Sequence, residues 1–209
     1  MAGNQEPAEQ DTERKILEAA AKVFMMKGKL GASMQDIADE AGINRTLLHY
    51  YFRNKDRLFD KVFKSLVTRL MPAMVRIMTS GRPLYEGIEG FVETYTDMLI
   101  ENPFLPVFIF QEISLNPGRM TGMLSEMGIE PEKVMRNFRA ELEKAGMKET
   151  DPRHVFASIM GMVLFPFIAR PLFQALAFGN RKEDFDRFLQ ERKKEIPRFF
   201  GLALAGSNI

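Results

Sequence analysis

Residues 33–52 read SMQDIADEAGINRTLLHYYF, a stretch with two helix starts on either side of one glycine turn. Ser33 with Asp36 three residues on forms a capping box: the hydroxyl accepts a backbone N–H and the carboxylate reaches back to the cap. Gly42 suits a turn that needs positive φ. Asn44 is the next N-cap. Ile37, Ala38, Ile43 and Leu48 form an apolar seam between two short helices, with Ala38 small where they must approach. The second helix projects Arg45, Thr46, His49 and Tyr50 away from that seam. Arginine reads guanine edges or neutralises phosphate, and Thr, His and Tyr can reach either. Helix N-termini at Ser33 and Asn54 offer N–H groups to phosphates.

On the N-terminal side, Ile16, Ala20, Val23 and Phe24 make one helical stripe, which Gly28 ends. On the C-terminal side, Asn54 opens a long helix with Leu58, Phe59, Val62, Phe63, Leu66 and Leu70 on one face. Asn102-Pro103, Glu130-Pro131 and Asp151-Pro152 read as further starts, with proline where its missing N–H costs nothing. Gly146 and Gly179 read as stops. Helices are expected at 152–178 and 183–205, with a bend at Pro197. The chain is therefore expected to be all-α, with about nine helices. Residues 1–11 form a disordered tail, 12–62 a three-helix helix-turn-helix domain plus the start of a fourth helix, and 63–209 a larger helical bundle.

Composition narrows the function. Net charge is only +1, but residues 12–62 hold ten basic and seven acidic side chains, so the excess sits around the motif. There is no cysteine, and the histidines are His49 and His154 alone. Nucleophile–base pairs are thus sparse, and no glycine-rich phosphate loop or metal-ligand cluster occurs. No catalytic residue, metal or cofactor is expected. The acidic start lacks the features of a signal peptide, and the apolar run from Val155 stops at Ala169, short of a membrane span. A cytoplasmic protein without membrane contact is the expectation.

The run TERKILEAAAKVFMMKGKLGASMQDIADEAGINRTLLHYYFRNKDRLFDKVF resembles the N-terminal domain of the TetR family of transcriptional regulators. The matching features are Ile16-Leu17, Ala20, Phe24 and Gly28, then Ile37-Ala38, Ala41-Gly42-Ile43, Tyr51-Phe52, Asn54-Lys55 and Leu58. The resemblance implies that the helix at 44–50 enters the major groove of operator DNA. It also implies that Lys55 contacts phosphate and that Ser33 and Gln35 touch the flanking backbone. The expected DNA set is Ser33, Gln35, Asn44, Arg45, Thr46, Leu47, His49, Tyr50 and Lys55. The family usually has tyrosine where His49 stands and a small hydroxyl residue where Leu47 stands. Leu47 could instead meet a thymine methyl, and His49 fits a phosphate donor or a structural histidine equally well. Arg45, Arg53 and Lys55 also fit a merely solvated face. Of Tyr50 and Tyr51, the resemblance favours Tyr50 on the DNA side.

Fifteen methionines and eighteen phenylalanines, with no tryptophan, mark the remainder. Methionine suits adaptable apolar surfaces. The resemblance implies a pocket there for a small, largely apolar effector, whose entry would move the long helix near Pro72 and weaken DNA binding. Candidates are Met71, Met74, Met78, Tyr95, Phe108, Gln111, Met160, Leu164 and Phe167; each also fits plain core. The last two helices look too apolar for a monomer's surface, and the family uses them to build a homodimer. The expected interface is Phe156, Ile159, Val163, Phe188, Ile196, Phe199 and Phe200. The function expected is a DNA-binding regulator, of which repression is the family's commoner habit. The alternative is a helical ligand-binding or adaptor protein that has lost DNA binding.

Overall fold

The computed structural model describes residues 7–79 and 83–206, without the side chains of 7–9, 72–74, 76–79 and 203–206. Eleven helices and no strand occur among the described residues: α1 (Pro7–Gly31), α2 (Met34–Ala41), α3 (Arg45–Tyr51), α4 (Lys55–Thr79), α5 (Leu84–Glu101), α6 (Leu105–Leu115), α7 (Pro117–Glu126), α8 (Pro131–Lys144), α9 (Pro152–Ile168), α10 (Arg170–Phe178) and α11 (Lys182–Gly206). The chain divides into two compact units, to Arg69 and from Leu70.

The first unit closes on the seam seen in the sequence. Ile16, Ala20 and Phe24 of α1 are buried with Ile37 and Ala38 of α2, Leu48 of α3, and Leu58 and Phe59 of α4. Phe24 meets Phe59 edge to face at 5.0 Å, the geometry aromatic quadrupoles favour. Gly28 (φ 68°, ψ 169°) breaks α1, and a short helical piece continues to Gly31. Two boundaries differ from expectation. Residues 7–11, expected in a disordered tail, belong to α1, which starts at Pro7 where proline costs no hydrogen bond. The unit also runs beyond 62 to Arg69, since Phe63 and Val67 stay buried along α4.

In the second unit α5 packs along α11, and α6 and α8 pack on α9. Ile88, Val92 and Leu99 of α5, Phe138 and Leu142 of α8, and Phe185 and Leu189 of α11 are all buried. The helix count exceeds nine because prolines divide the chain. The expected single helix 152–178 breaks at Ala169 into α9 and α10, bent by 81°. Pro171 explains the break: it has no N–H to give the carbonyl of Phe167, and its ring would clash there. Pro103 does not start a helix. Asn102 ends α5, its side chain donating to the Met98 carbonyl at 3.0 Å, and α6 begins at Leu105 with Pro106 in its first turn. Asn116-Pro117 makes a further break before α7. α11 continues through Pro197 as one helix. No single helix among the described residues is long and apolar enough to cross a membrane.

Candidate nucleic-acid interface

The helix-turn-helix is assembled from local hydrogen bonds. Asp36 N–H donates to Ser33 Oγ at 3.1 Å, and Ser33 N–H donates back to Asp36 Oδ2 at 2.9 Å. Lys27 Nζ grips the other carboxylate oxygen at 2.7 Å, tying α1 to the start of α2. Lys27 first, and then Ser33, hold the Asp36 carboxyl down at about 2. Gly42 is left-handed (φ 66°, ψ 32°), and Ile43 N–H closes onto the Ala38 carbonyl at 3.0 Å. A Cβ on Gly42 would meet no atom within 4 Å. Backbone conformation, not space, therefore calls for glycine there. Asn44 Oδ1 accepts from Leu47 N–H at 2.8 Å and caps α3.

These devices set α3 with Leu48 fully buried and Arg45, Thr46, His49 and Tyr50 exposed. Leu47 is half-buried, and exposed Asn44 is committed to its cap. Tyr50 is 73% exposed, and Tyr51, half-buried, meets it edge to face at 5.4 Å. His49 sits between two arginines. Arg45 Nε donates to His49 Nε2 at 3.4 Å, and His49 Nδ1 lies 3.3 Å from the Arg53 carbonyl oxygen. An Nε2 that accepts leaves Nδ1 as the donor, so the ring bridges Arg45 to the backbone beyond α3. That gives His49 a part in orienting Arg45 in addition to any phosphate contact. Lys55 is likewise engaged within the unit. Its ammonium donates to the Ala32 carbonyl at 2.8 Å, leaving two of its three N–H groups for other acceptors. Ser33 and Gln35 are exposed, with Gln35 Nε2 donating to Asp39 at 2.7 Å.

Charge pairing sharpens the picture given by net charge. Lys22 pairs with Glu40, Lys27 with Asp36, Lys29 with Asp56 and Lys61 with Glu13. Among the described residues, Arg45, Arg53 and Arg57 have no such carboxylate partner. Three of the arginines without such a partner thus lie on α3, at the start of α4 and between the two.

The second unit corrects several expectations. Ile159, Val163, Ile196 and Phe200, expected in a dimer interface, are buried within one chain and serve as core. Phe156 and Phe188 are half-buried, Phe188 among the rings of Phe173, Phe178 and Phe185. Phe199 alone of that set is exposed, at 58%. Other apolar side chains that reach the surface are Leu202 on α11, Phe165 and Ile168 on α9, Leu172 and Leu176 on α10, and Phe104, Val107, Phe110 and Leu115 at and along α6. The error has a physical cause: α9 is apolar on nearly every side, so periodicity does not say which side faces in.

The expected effector residues differ in burial. Tyr95, Phe108, Leu164 and Phe167 are buried, Met71 and Met160 are half-buried, and Gln111 is exposed on α6. The side chains of Met74, Met78 and Pro72 lie outside the described residues. Tyr95 stacks on Phe91 at 4.8 Å, and burial pushes its phenol up to about 12, so it stays a neutral hydroxyl. Sequence reasoning missed Glu112, buried on α6, where it pairs with Arg119 at 2.7 Å and accepts from Asn116 Nδ2 at 2.9 Å. The signal was an acid within the apolar run LPVFIFQEISL, which burial obliges to find a partner.

Residues 16–62 match the family described as bacterial regulatory proteins, tetR family. Over that stretch the chain is similar to the TetR family. The TetR-family domain falls within the first unit and contains the helix-turn-helix described above. The uncharacterized HTH-type transcriptional regulator YhgD of Bacillus subtilis is 30% identical over 78 residues, covering 37% of this chain and 41% of that protein. The HTH-type transcriptional repressor KstR2 of Rhodococcus jostii is 29% identical over 79 residues, 38% of this chain and 39% of its own length. The match thus spans about two fifths of these curated relatives. The fold reaches further than the sequence likeness. The solved structure of SCO4942 from Streptomyces coelicolor superposes with a TM-score of 0.65 at 19% identity, covering 90% of this chain and 97% of that one.

Proposed function

We propose that this chain is a TetR-family, sequence-specific DNA-binding regulator of transcription, a repressor, acting in the cytoplasm as a homodimer released by a small effector. One observation carries the reading: α3 exposes Arg45, Thr46, His49 and Tyr50 on a rigidly capped motif, beside arginines that internal ion pairs leave free. In this reading Arg45 reads a base edge while Ser33, Gln35, Tyr50 and Lys55 position the motif on phosphates. Thr46 and Leu47 face the bases, and the capped Asn44 sets the entry angle of α3. A second copy covers the apolar surface of Phe165, Leu172, Leu176, Phe199 and Leu202, and the resulting two-fold axis matches a palindromic operator. The effector enters the second unit and acts only as far as it binds one state better than the other. No catalytic step is assigned to the chain.

The test is a salt series of binding to DNA from upstream of the chain's own gene, read by fluorescence anisotropy. Phosphate contacts give an affinity that falls steeply with salt. Affinity that is absent, or flat with salt, returns the chain to the alternative of a helical adaptor or ligand carrier.

A further inference from the structure

Arg170 opens α10 directly after the corner at Ala169. Its side chain is only 23% exposed, and its guanidinium lies over the Phe185 ring, 5.4 Å from the centroid. The carboxylate paired with it, Asp186, is 3.6 Å away, beyond hydrogen-bond reach. Lys182 holds the other oxygen of Asp186 at 2.5 Å, so that carboxylate is shared between the two cations. A guanidinium carries five N–H donors in a planar fork matched to a carboxylate. Among the described residues, no hydrogen bond fills that fork, although the ring beneath holds it in place.

The same arginine lines a cleft of about 480 Å³. Ile100 and Pro103 from the end of α5, Phe167 of α9 and Leu189 of α11 make its apolar wall. Phe167 and Leu189 are almost wholly buried, so the wall is fixed by the core behind it. The rim adds Lys182, Arg187 and Gln190, and with Arg170 its three cations face two acids, Asp186 and the Asp184 paired with Arg187. Small-ligand sites share this size range and this mixture of apolar lining with a few placed polar groups. An apolar wall under a cationic rim complements a molecule with a tail and a negative head.

We propose that this cleft binds a small amphipathic carboxylate. The carboxylate sits on the Arg170 fork and the aliphatic or aromatic tail lies against Ile100 and Pro103, which the buried Phe167 and Leu189 back. A neutral tail leaves the fork empty, and a cationic head is repelled by the rim. Of the residues expected to hold an effector, Phe167 alone lines this space, so the site is not the one read from the sequence. The proposal goes beyond the regulator reading and stands whether or not the chain binds DNA.

The experiment is calorimetric titration of the full chain with octanoate, 1-octanol and octyltrimethylammonium. Octanoate binds saturably and about tenfold or more tighter than octanol, as a charge-assisted hydrogen bond gives. Arg170→Gln weakens octanoate by about the same factor and leaves octanol unchanged. Arg170→Lys, which keeps charge without the fork, falls between. Should Arg170→Gln melt early by circular dichroism, the double variant Lys182→Gln, Arg187→Gln removes rim charge from two exposed positions and weakens octanoate severalfold. Absence of saturation, equal binding of octanoate and octanol, or variants that bind octanoate like wild type each overturns the proposal. A parallel DNA titration reads the regulator assignment separately.

Discussion

The first unit and the second are both helical, yet they are specified in different ways. In the first, each boundary rests on a device a few residues long: the Ser33–Asp36 box, the left-handed Gly42, the Asn44 cap. Lys22, Lys27, Lys29 and Lys61 are matched by acids, whereas Arg45, Arg53 and Arg57 are not. In the second, helices are cut by prolines, apolar residues outnumber the places inside, and large side chains such as Leu176 and Leu202 are left at the surface. Local chemistry writes the motif; global packing writes the bundle.

Substitutions can break or sharpen that contrast. The largest expected effect is on the core of the first unit. Phe24→Ala removes the ring against Phe59 and costs about 3–5 kcal/mol, measured by urea unfolding followed through helical circular dichroism. Next, in the second unit, Phe199→Asp with Leu202→Asp leaves the fold intact because both side chains are exposed, but dissociates the dimer. A hot-spot loss of about 2 kcal/mol or more appears as a monomer in sedimentation velocity. A dimer that survives would move the interface off this surface. Third, Arg45→Ala costs about 1–3 kcal/mol of operator discrimination, read by anisotropy against scrambled DNA. Fourth, Ser33→Ala removes one cap and costs about 1 kcal/mol, visible as a lowered urea midpoint with unchanged slope.

The smallest effect is in acid. Asp36 has its folded value depressed from 3.8 to about 2. Its contribution is therefore fully present above the unfolded value and is lost as pH falls through about 2. Carbon-detected titration of the carboxyl follows it, and Lys27→Met moves the midpoint back toward the ordinary range. A midpoint that stays put in that variant would remove Lys27 as the main cause.

What could be read from the chain follows the same division. Gly42 and Asn44 announce their roles because a positive φ and an N-cap each favour few residue types, and neither needs a distant partner. Arg45, His49 and Tyr50 follow, since Leu48 alone of their helix must turn inward. His49 and Lys55 were only half legible: the contact of His49 with Arg53 depends on how the chain leaves α3, and the bond of Lys55 to Ala32 on where separate segments meet. In the bundle, Ile159 and Val163 looked like interface because α9 is apolar on nearly every side, and Ile196 because it lies on the apolar stripe of α11, patterns that core and interface share. Pro171 carried the clue to the corner at Ala169, but a proline inside a helical pattern either bends it or ends it, as the unbroken α11 at Pro197 illustrates. Arg170 stayed hidden because its meaning comes from the ring of Phe185, fifteen positions away in sequence.

The bond from Lys55 to the Ala32 carbonyl has a consequence for any chemistry that alters that amine. Acetylation would cancel the charge and also remove a donor stitching the start of α4 to the stretch between α1 and α2, so grip and scaffold would loosen together. Arginine at the same position would keep the charge, yet its broad planar head cannot occupy the pinpoint seat of an ammonium. A mutational scan at 55 would then find few tolerated replacements, for reasons of architecture as much as of affinity.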